Sequence, residues 1–306
     1  MKATIEYESD LNWRKLINIS EEDMRIIIGD INSFSPVVPI QESECEMKFS
    51  VLYDGEHSYV HFSASVDRVK LYGEEDHDEN DDSFLDHTII ARLKDILFAM
   101  NLAYPGYVFI HDSFLLRDGK PAGVFSYSND ISGMVYCKCN WVHFERLTIS
   151  QCWKWIVSKT SFLAYISRSP IDRALHALSY ESCANEDVFV FYVLVGIEAI
   201  YNNGSDREDS ILAQIKRKAQ AIIGELPKKA LSEMSEMYRK RSKLVHGTAN
   251  IYKCWESENC TEEEYEKADK EREYMITATG ILLSTIQKFV KANANNIVET
   301  ISLRLE

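Results

Sequence analysis

Residues 238–247 read Tyr-Arg-Lys-Arg-Ser-Lys-Leu-Val-His-Gly, and the second half of the chain is best understood outward from them. Leu231, Met234, Tyr238 and Val245 recur at helical intervals and mark one apolar stripe. Arg241 falls seven residues after Met234, on that same face. A guanidinium on a core-facing stripe needs a carboxylate, a subunit interface or a bound phosphate, because an unpaired buried charge is too costly to keep. Glu198 is the carboxylate of choice: it interrupts an apolar helical stretch, with Leu194 four residues before it and Tyr201 three after. Gly247 directly follows His246 and reads as a helix-ending glycine, which sets a titratable imidazole at the negative end of the helix dipole.

Helical periods extend on both sides of this segment. They predict helices over 150–167, 171–182, 186–202, 208–224, 228–246 and 261–293. Ser169-Pro170 opens the second, Asn202-Asn203-Gly204 ends the third, and Gly224 ends the fourth. Thr261 with Glu264 forms a capping-box pattern at the start of the last. Ahead of residue 150 the pattern is mixed. Met47–Tyr53 and His57–Val66 alternate around Asp54-Gly55, and Tyr107–Leu116 and Gly123–Tyr127 flank Asp118-Gly119, so two hairpins are expected. Between them Leu85, Ile89, Leu93, Ile96 and Met100 keep helical spacing, with Asp82 or Ser83 as N-cap, and a further strand-rich stretch ends near Asn140. The expected fold class is α+β: a mixed α/β domain over 1–149, then an all-helical domain over 150–306.

Composition narrows the function classes. With 34 basic and 48 acidic residues the net charge is −14, and 45% hydrophobic residues are enough to bury a core, which excludes wholesale disorder. The longest apolar run, Val188–Ile197, stops at Glu198, well short of a membrane span. Met1-Lys-Ala-Thr-Ile-Glu-Tyr enters a strand pattern directly, so no secretory signal is expected, and seven scattered cysteines suit a reducing, cytoplasmic setting. No phosphate-binding glycine loop, dinucleotide fingerprint, His-Glu-x-x-His or nucleophile elbow occurs, and no cofactor or metal is expected. Cys137-Lys-Cys139 puts two thiols on one side of an expected strand but lacks the other ligands zinc requires, and Cys254 and Cys260 do no better. Seven carboxylates in the nine residues Glu74–Asp82 read as a solvated loop or a flap over a basic surface. Asp76, Asp78 and Asn80 begin like a calcium loop, but Asp81 stands where glycine is needed and His87 where the bidentate glutamate belongs.

Against this acidic background residues 215–246 hold nine Lys and Arg against three Glu, a local +6 that leaves −20 for the remainder. Clustered positive charge in an acidic chain is suited to a polyphosphate, and Lys216, Arg217, Lys218, Lys240 and Lys243 are the expected phosphate contacts.

Arg241-Ser-Lys-Leu-Val-His246-Gly resembles the Arg-x4–6-His motif of HEPN domains, especially the ApeA-like branch of bacterial defence proteins. Ile171-Asp-Arg-Ala-Leu-His-Ala-Leu and Phe191-Tyr-Val-Leu-Val-Gly-Ile-Glu-Ala-Ile agree with it, the second resembling the family's long helix with its acidic residue. The resemblance covers about 150–295 and leaves the first half unassigned; serine follows the arginine here where the family often has Asn, Asp or His. It implies a helical bundle and a metal-independent endoribonuclease that acts as a homodimer on single-stranded RNA. His246 is then the general acid/base and Arg241 the phosphate and transition-state contact, supported by Glu198, Ser242 and Arg239. A toxin or anti-phage role follows from the resemblance, with the first domain sensing a phage or antitoxin protein and no membrane involved. The alternative is a catalytically silent HEPN module that binds a protein or nucleotide.

One geometric point stays open. Five residues advance a helix by about 500°, so Arg241 and His246 diverge by about 140° on one straight helix. A break before His246, a site shared by two chains, or Arg239 as the true partner would each reconcile them.

Overall fold

The computed structural model describes residues 4–13, 20–40, 43–53, 58–67, 79–107, 109–183, 186–202, 210–248 and 261–297. Two units are present: Met1–Lys138 with Arg146–Lys154, and Cys139–Glu145 with Trp155–Glu306. The chain thus crosses between units three times, whereas the change in composition suggested one boundary at 149/150. The α+β class is observed.

In the first unit, alternating side chains build a six-stranded antiparallel sheet. Its strands are β1 (Thr4–Trp13), β2 (Val37–Ile40), β3 (Ser43–Tyr53), β4 (Ser58–Asp67), β5 (Ile110–Arg117) and β6 (Lys120–Tyr127), in the order β2-β3-β4-β1-β5-β6. Ile5, Tyr7 and Leu11 of β1, Phe62 and Val66 of β4, and Met47 and Phe49 of β3 point to one buried face. Helix α1 (Glu21–Ser33) packs on β3, and α2 (Glu79–Ala103) on β2 and β6. The α2 stripe Leu85, Ile89, Leu93, Ile96 and Met100 is buried as its spacing requires. Both edge strands carry a proline, Pro39 in β2 and Pro121 in β6, which blunts further strand addition.

The second hairpin closes on Asp118 and Gly119, both at positive φ (48° and 76°), the two-residue turn whose twist matches its strands. The Asp54-Gly55 turn and the Glu74–Asp78 part of the acidic segment lie outside the described residues, as do the Cys254–Cys260 loop and Asn203-Gly204.

Three expectations are corrected. Helix α2 begins at Glu79, so neither Asp82 nor Ser83 caps it. Residues 130–138 form helix α3 (Asp130–Lys138) instead of a strand: Ser132 and Gly133 are buried, and the Ser132 hydroxyl meets the Asn101 amide at 3.3 Å. Cys137 is therefore exposed while Cys139 is buried, and the two thiols do not share a side. Helix α4 (Ile149–Lys159) stops eight residues short of 167. Thr160 turns its hydroxyl back to the Ile156 carbonyl (2.7 Å) and accepts the Phe162 N–H (3.2 Å), replacing the helical ladder with side-chain bonds.

The second unit is helical throughout its described elements. These are the end of α4, α5 (Pro170–Ser179) with a 3-10 turn at Tyr180–Ser182, α6 (Glu186–Tyr201), α7 (Ile211–Ile223), α8 (Lys228–Val245) and α9 (Glu262–Ala292). Ser169 caps α5 through the Asp172 N–H, Gly224 (φ 97°) follows α7, and Thr261 and Glu264 form the full capping box of α9. Almost every residue from Met275 to Val290 is buried, so α9 is a central pillar that contacts α5, α6, α7 and α8. Gly196 lets α6 approach closely: a Cβ there would stand 2.9 Å from Leu282 and 3.1 Å from Ala177.

Asp172 ties the turn between α4 and α5. Its carboxylate accepts the N–H groups of Ser161 (2.7 Å) and Arg168 (3.0 Å). Burial opposes ionisation, but these bonds and the Ser169 hydroxyl outweigh it and hold the Asp172 carboxyl below its ordinary range. A carboxylate depressed in the folded state stabilises above its unfolded pKa, about 4, and that contribution disappears as pH falls through the lower folded value. Asp172→Asn is expected to lower stability at pH 7 by about 1–3 kcal/mol and to flatten the loss of stability below pH ~4, as measured by urea unfolding across pH.

Candidate active site

The site is built where α6 and α8 meet. Arg241 Nη2 lies 3.3 Å from Glu198 Oε2, with side-chain exposures of 37% and 19%. The carboxylate expected for this guanidinium is the one observed. The buried Tyr238 hydroxyl stands beside the same carboxylate, close enough to interact with it. Burial, then the Glu198 charge, push the Tyr238 phenol well above its usual range, so it stays protonated.

Helix α8 ends in a Schellman arrangement. Gly247, at φ 65°, donates its N–H to the Leu244 carbonyl (3.0 Å), and the Thr248 N–H reaches the Lys243 carbonyl (2.8 Å). The backbone thus satisfies the last carbonyls, and the exposed His246 side chain is presented at the tip. The His246 N–H still bonds the Ser242 carbonyl at 3.1 Å, and α8 is uninterrupted to Val245. A break ahead of the histidine therefore does not bring it to Arg241.

Arg239 is also committed: its Nε lies 3.0 Å from Glu236 Oε2, and that ion pair sits at the surface. Ser242 and Lys243 are exposed beside His246.

The basic cluster is divided: Lys216, Lys218, Lys240 and Arg241 are buried or half-buried, while Arg217, Lys228, Lys229, Arg239 and Lys243 are exposed. Lys218 is only 6% exposed, and Lys240 pairs with Glu271 at 2.6 Å, both side chains mostly buried, so neither is a surface phosphate contact. Lys216 donates to the Ser235 hydroxyl (2.6 Å), and burial lowers its pKa from the ordinary lysine value. Lys229 reaches Glu273 at 3.3 Å. Arg217 and Lys243 keep exposed positions. The carboxylates that consume this charge sit in the first half of α9, so a charge count confined to 215–246 missed them. The acidic run of that helix was the available signal.

Of the remaining histidines, His61 pairs with Asp10 (2.8 Å), His87 with the Ser83 carbonyl (2.7 Å) and His176 with the Phe162 carbonyl (3.0 Å), while His143 is exposed. Among the described residues no group of three His, Cys, Asp or Glu side chains is placed to hold a metal, and no helix is long and apolar enough to cross a membrane.

Comparison with family models, curated proteins and solved structures finds no match.

The two kinds of ion pair should respond differently to truncation. Glu271→Ala removes the carboxylate paired with a mostly buried lysine and is expected to cost about 1–3 kcal/mol. Arg239→Ala removes only a surface pair and should leave stability unchanged. Urea unfolding of both variants checks the contrast.

Proposed function

We propose that this protein is a metal-independent endoribonuclease of the HEPN type, acting on single-stranded RNA as a homodimer. One observation carries the reading: an arginine braced by a carboxylate shares a helix with a histidine presented bare at its end. The Arg-x4–His spacing and the acidic residue on the partner helix are the features on which the family resemblance rests.

The chemistry follows from these groups. The RNA 2′-hydroxyl gives up its proton, its oxygen bonds to phosphorus, the bond from phosphorus to the 5′-oxygen breaks, and that oxygen takes a proton. Imidazole suits both transfers because its pKa is near neutrality. A guanidinium offers a permanent, forked charge to the crowded phosphorane oxygens. Glu198 fixes the fork from behind and leaves the other nitrogens to meet phosphate. Because α8 is regular through this stretch, the Arg241 of one copy works with the His246 of a second. The first unit restrains or triggers the nuclease, in keeping with a toxin or anti-phage effector.

A silent binding module is the second reading, and the Glu198–Arg241 pair favours it in one respect: the guanidinium is already partnered. Expression toxicity relieved by His246→Ala fits the nuclease and not the module.

Purified protein incubated with defined single-stranded RNA in EDTA should yield 2′,3′-cyclic phosphate and 5′-hydroxyl ends. His246→Ala and Arg241→Ala should each lower the rate by about 100-fold or more. Cleavage abolished by EDTA, 5′-phosphate ends, or a fully active His246→Ala protein would overturn the proposal.

A further inference from the structure

Helix α6 carries no charge between Val188 and Ile197, yet part of it faces solvent, with Val188 and Val195 both exposed. Tyr192 lies four residues after the first and three before the second, on the same side. Its ring lies flat on Tyr180, with centroids 3.6 Å apart and planes inclined by 4°. Tyr180 is itself exposed. Tyr165 is 100% exposed on the 160–168 turn, and Ile166 beside it is 71% exposed. Tyr165 stands within electrostatic range of Tyr180. This turn is held in place: Asp172 takes two of its N–H groups, and the His176 ring both bonds the Phe162 carbonyl and packs edge-on against the Phe162 ring.

The turn and α5 expose positive charge. Arg168 and Arg173 are exposed, while the two carboxylates of residues 159–183, Asp172 and Glu181, are buried. Exposed aromatic rings with exposed arginines near them in the chain, Arg168 three residues after Tyr165 and Arg173 seven before Tyr180, match the two chemistries of a single strand, its unstacked bases and its phosphates. A purely apolar protein partner would leave both arginines uncompensated. The same helix leads to the candidate active site. Glu198 lies six residues beyond Tyr192, ~9 Å along the axis, with Val195 between them on the helical wheel.

We propose that Tyr165, Tyr180 and Tyr192 form a base-stacking platform for single-stranded RNA that delivers the strand to Arg241 and His246. The proposal rests on the ribonuclease reading and adds a binding surface to it. Bases docked on the rings lie about one or two nucleotides from the phosphate at Arg241.

The probe is a labelled 2′-O-methyl oligonucleotide, which binds but lacks the attacking hydroxyl, titrated into the full chain by fluorescence anisotropy. Tyr165→Ala and Tyr180→Leu are each expected to weaken binding about fivefold or more, and a strand with abasic positions should lose as much against the parent protein. Tyr180→Phe and Tyr192→Phe keep the ring and should bind as the parent does. Tyr165 is fully exposed, so its variant separates loss of binding from loss of folding. If the parent cleaves unmodified RNA while Tyr165→Ala and Tyr180→Leu bind and cleave like it, the platform is wrong and the nuclease stands. If Tyr165→Ala alters the oligomeric state and leaves RNA affinity intact, the face belongs to a second copy and the proposal fails. If the parent neither binds nor cleaves RNA, both readings fail together.

Discussion

A guanidinium on the inward stripe of a helix is the constraint around which the second unit is arranged. Arg241 follows the buried Met234 and Met237 but is itself half-buried, and Val245, expected on the same inward stripe, is exposed because the stripe leaves the core as the helix ends. Glu198, the one charged residue of α6 after Asp187, is its partner. The Tyr238 hydroxyl lies beside the same carboxylate, so Glu198 serves both the guanidinium and the phenol.

Positive charge in this unit is divided between structure and surface. Lys240 and Lys229 meet carboxylates of α9, and Lys218 is drawn inside. Net charge along a stretch of sequence therefore overstated how basic the folded surface is. Exposed positive charge remains at Arg217, Lys228 and Lys243 of the basic segment and at Arg168 and Arg173. An overall charge of −14 repels nucleic acid at long range, so recognition by rings and a few guanidinium groups at short range suits this chain better than a broad basic patch.

Features that depend on a few adjacent residues were legible in the sequence. Ser169-Pro170, Thr261 with Glu264, Gly224 and Gly247 each act through bonds closed within one helical turn, and each is seen where it was expected. The Asp118-Gly119 hairpin belongs to the same class, since its φ angles are set by the two residues themselves. Helix α3 was not legible, because its β-prone Ile131, Val135 and Tyr136 are overruled by the burial of Ser132 and Gly133 and by the bond of Ser132 to Asn101, some thirty residues away. The turn after α4 escaped for a related reason: Asp172 captures its N–H groups from the following helix. Helix α1 did have a local signal, Ser20 accepting the Asp23 N–H ahead of three acidic residues, but no periodicity as strong as that of α2 drew attention to it. At the site, the Arg241–Glu198 pair followed from charge placement alone, whereas the tyrosine stack brings together residues from two helices and could emerge only from the fold.

The central claim is that the guanidinium of one copy and the imidazole of another act on a single phosphate. Mixing Arg241→Ala chains with His246→Ala chains, each inactive alone, tests it most directly. A mixed dimer contains one intact pair, so the account predicts that RNA cleavage returns on mixing, up to about half the parent rate per mixed dimer. A mixed dimer verified by its mass that remains as inactive as either variant would contradict it.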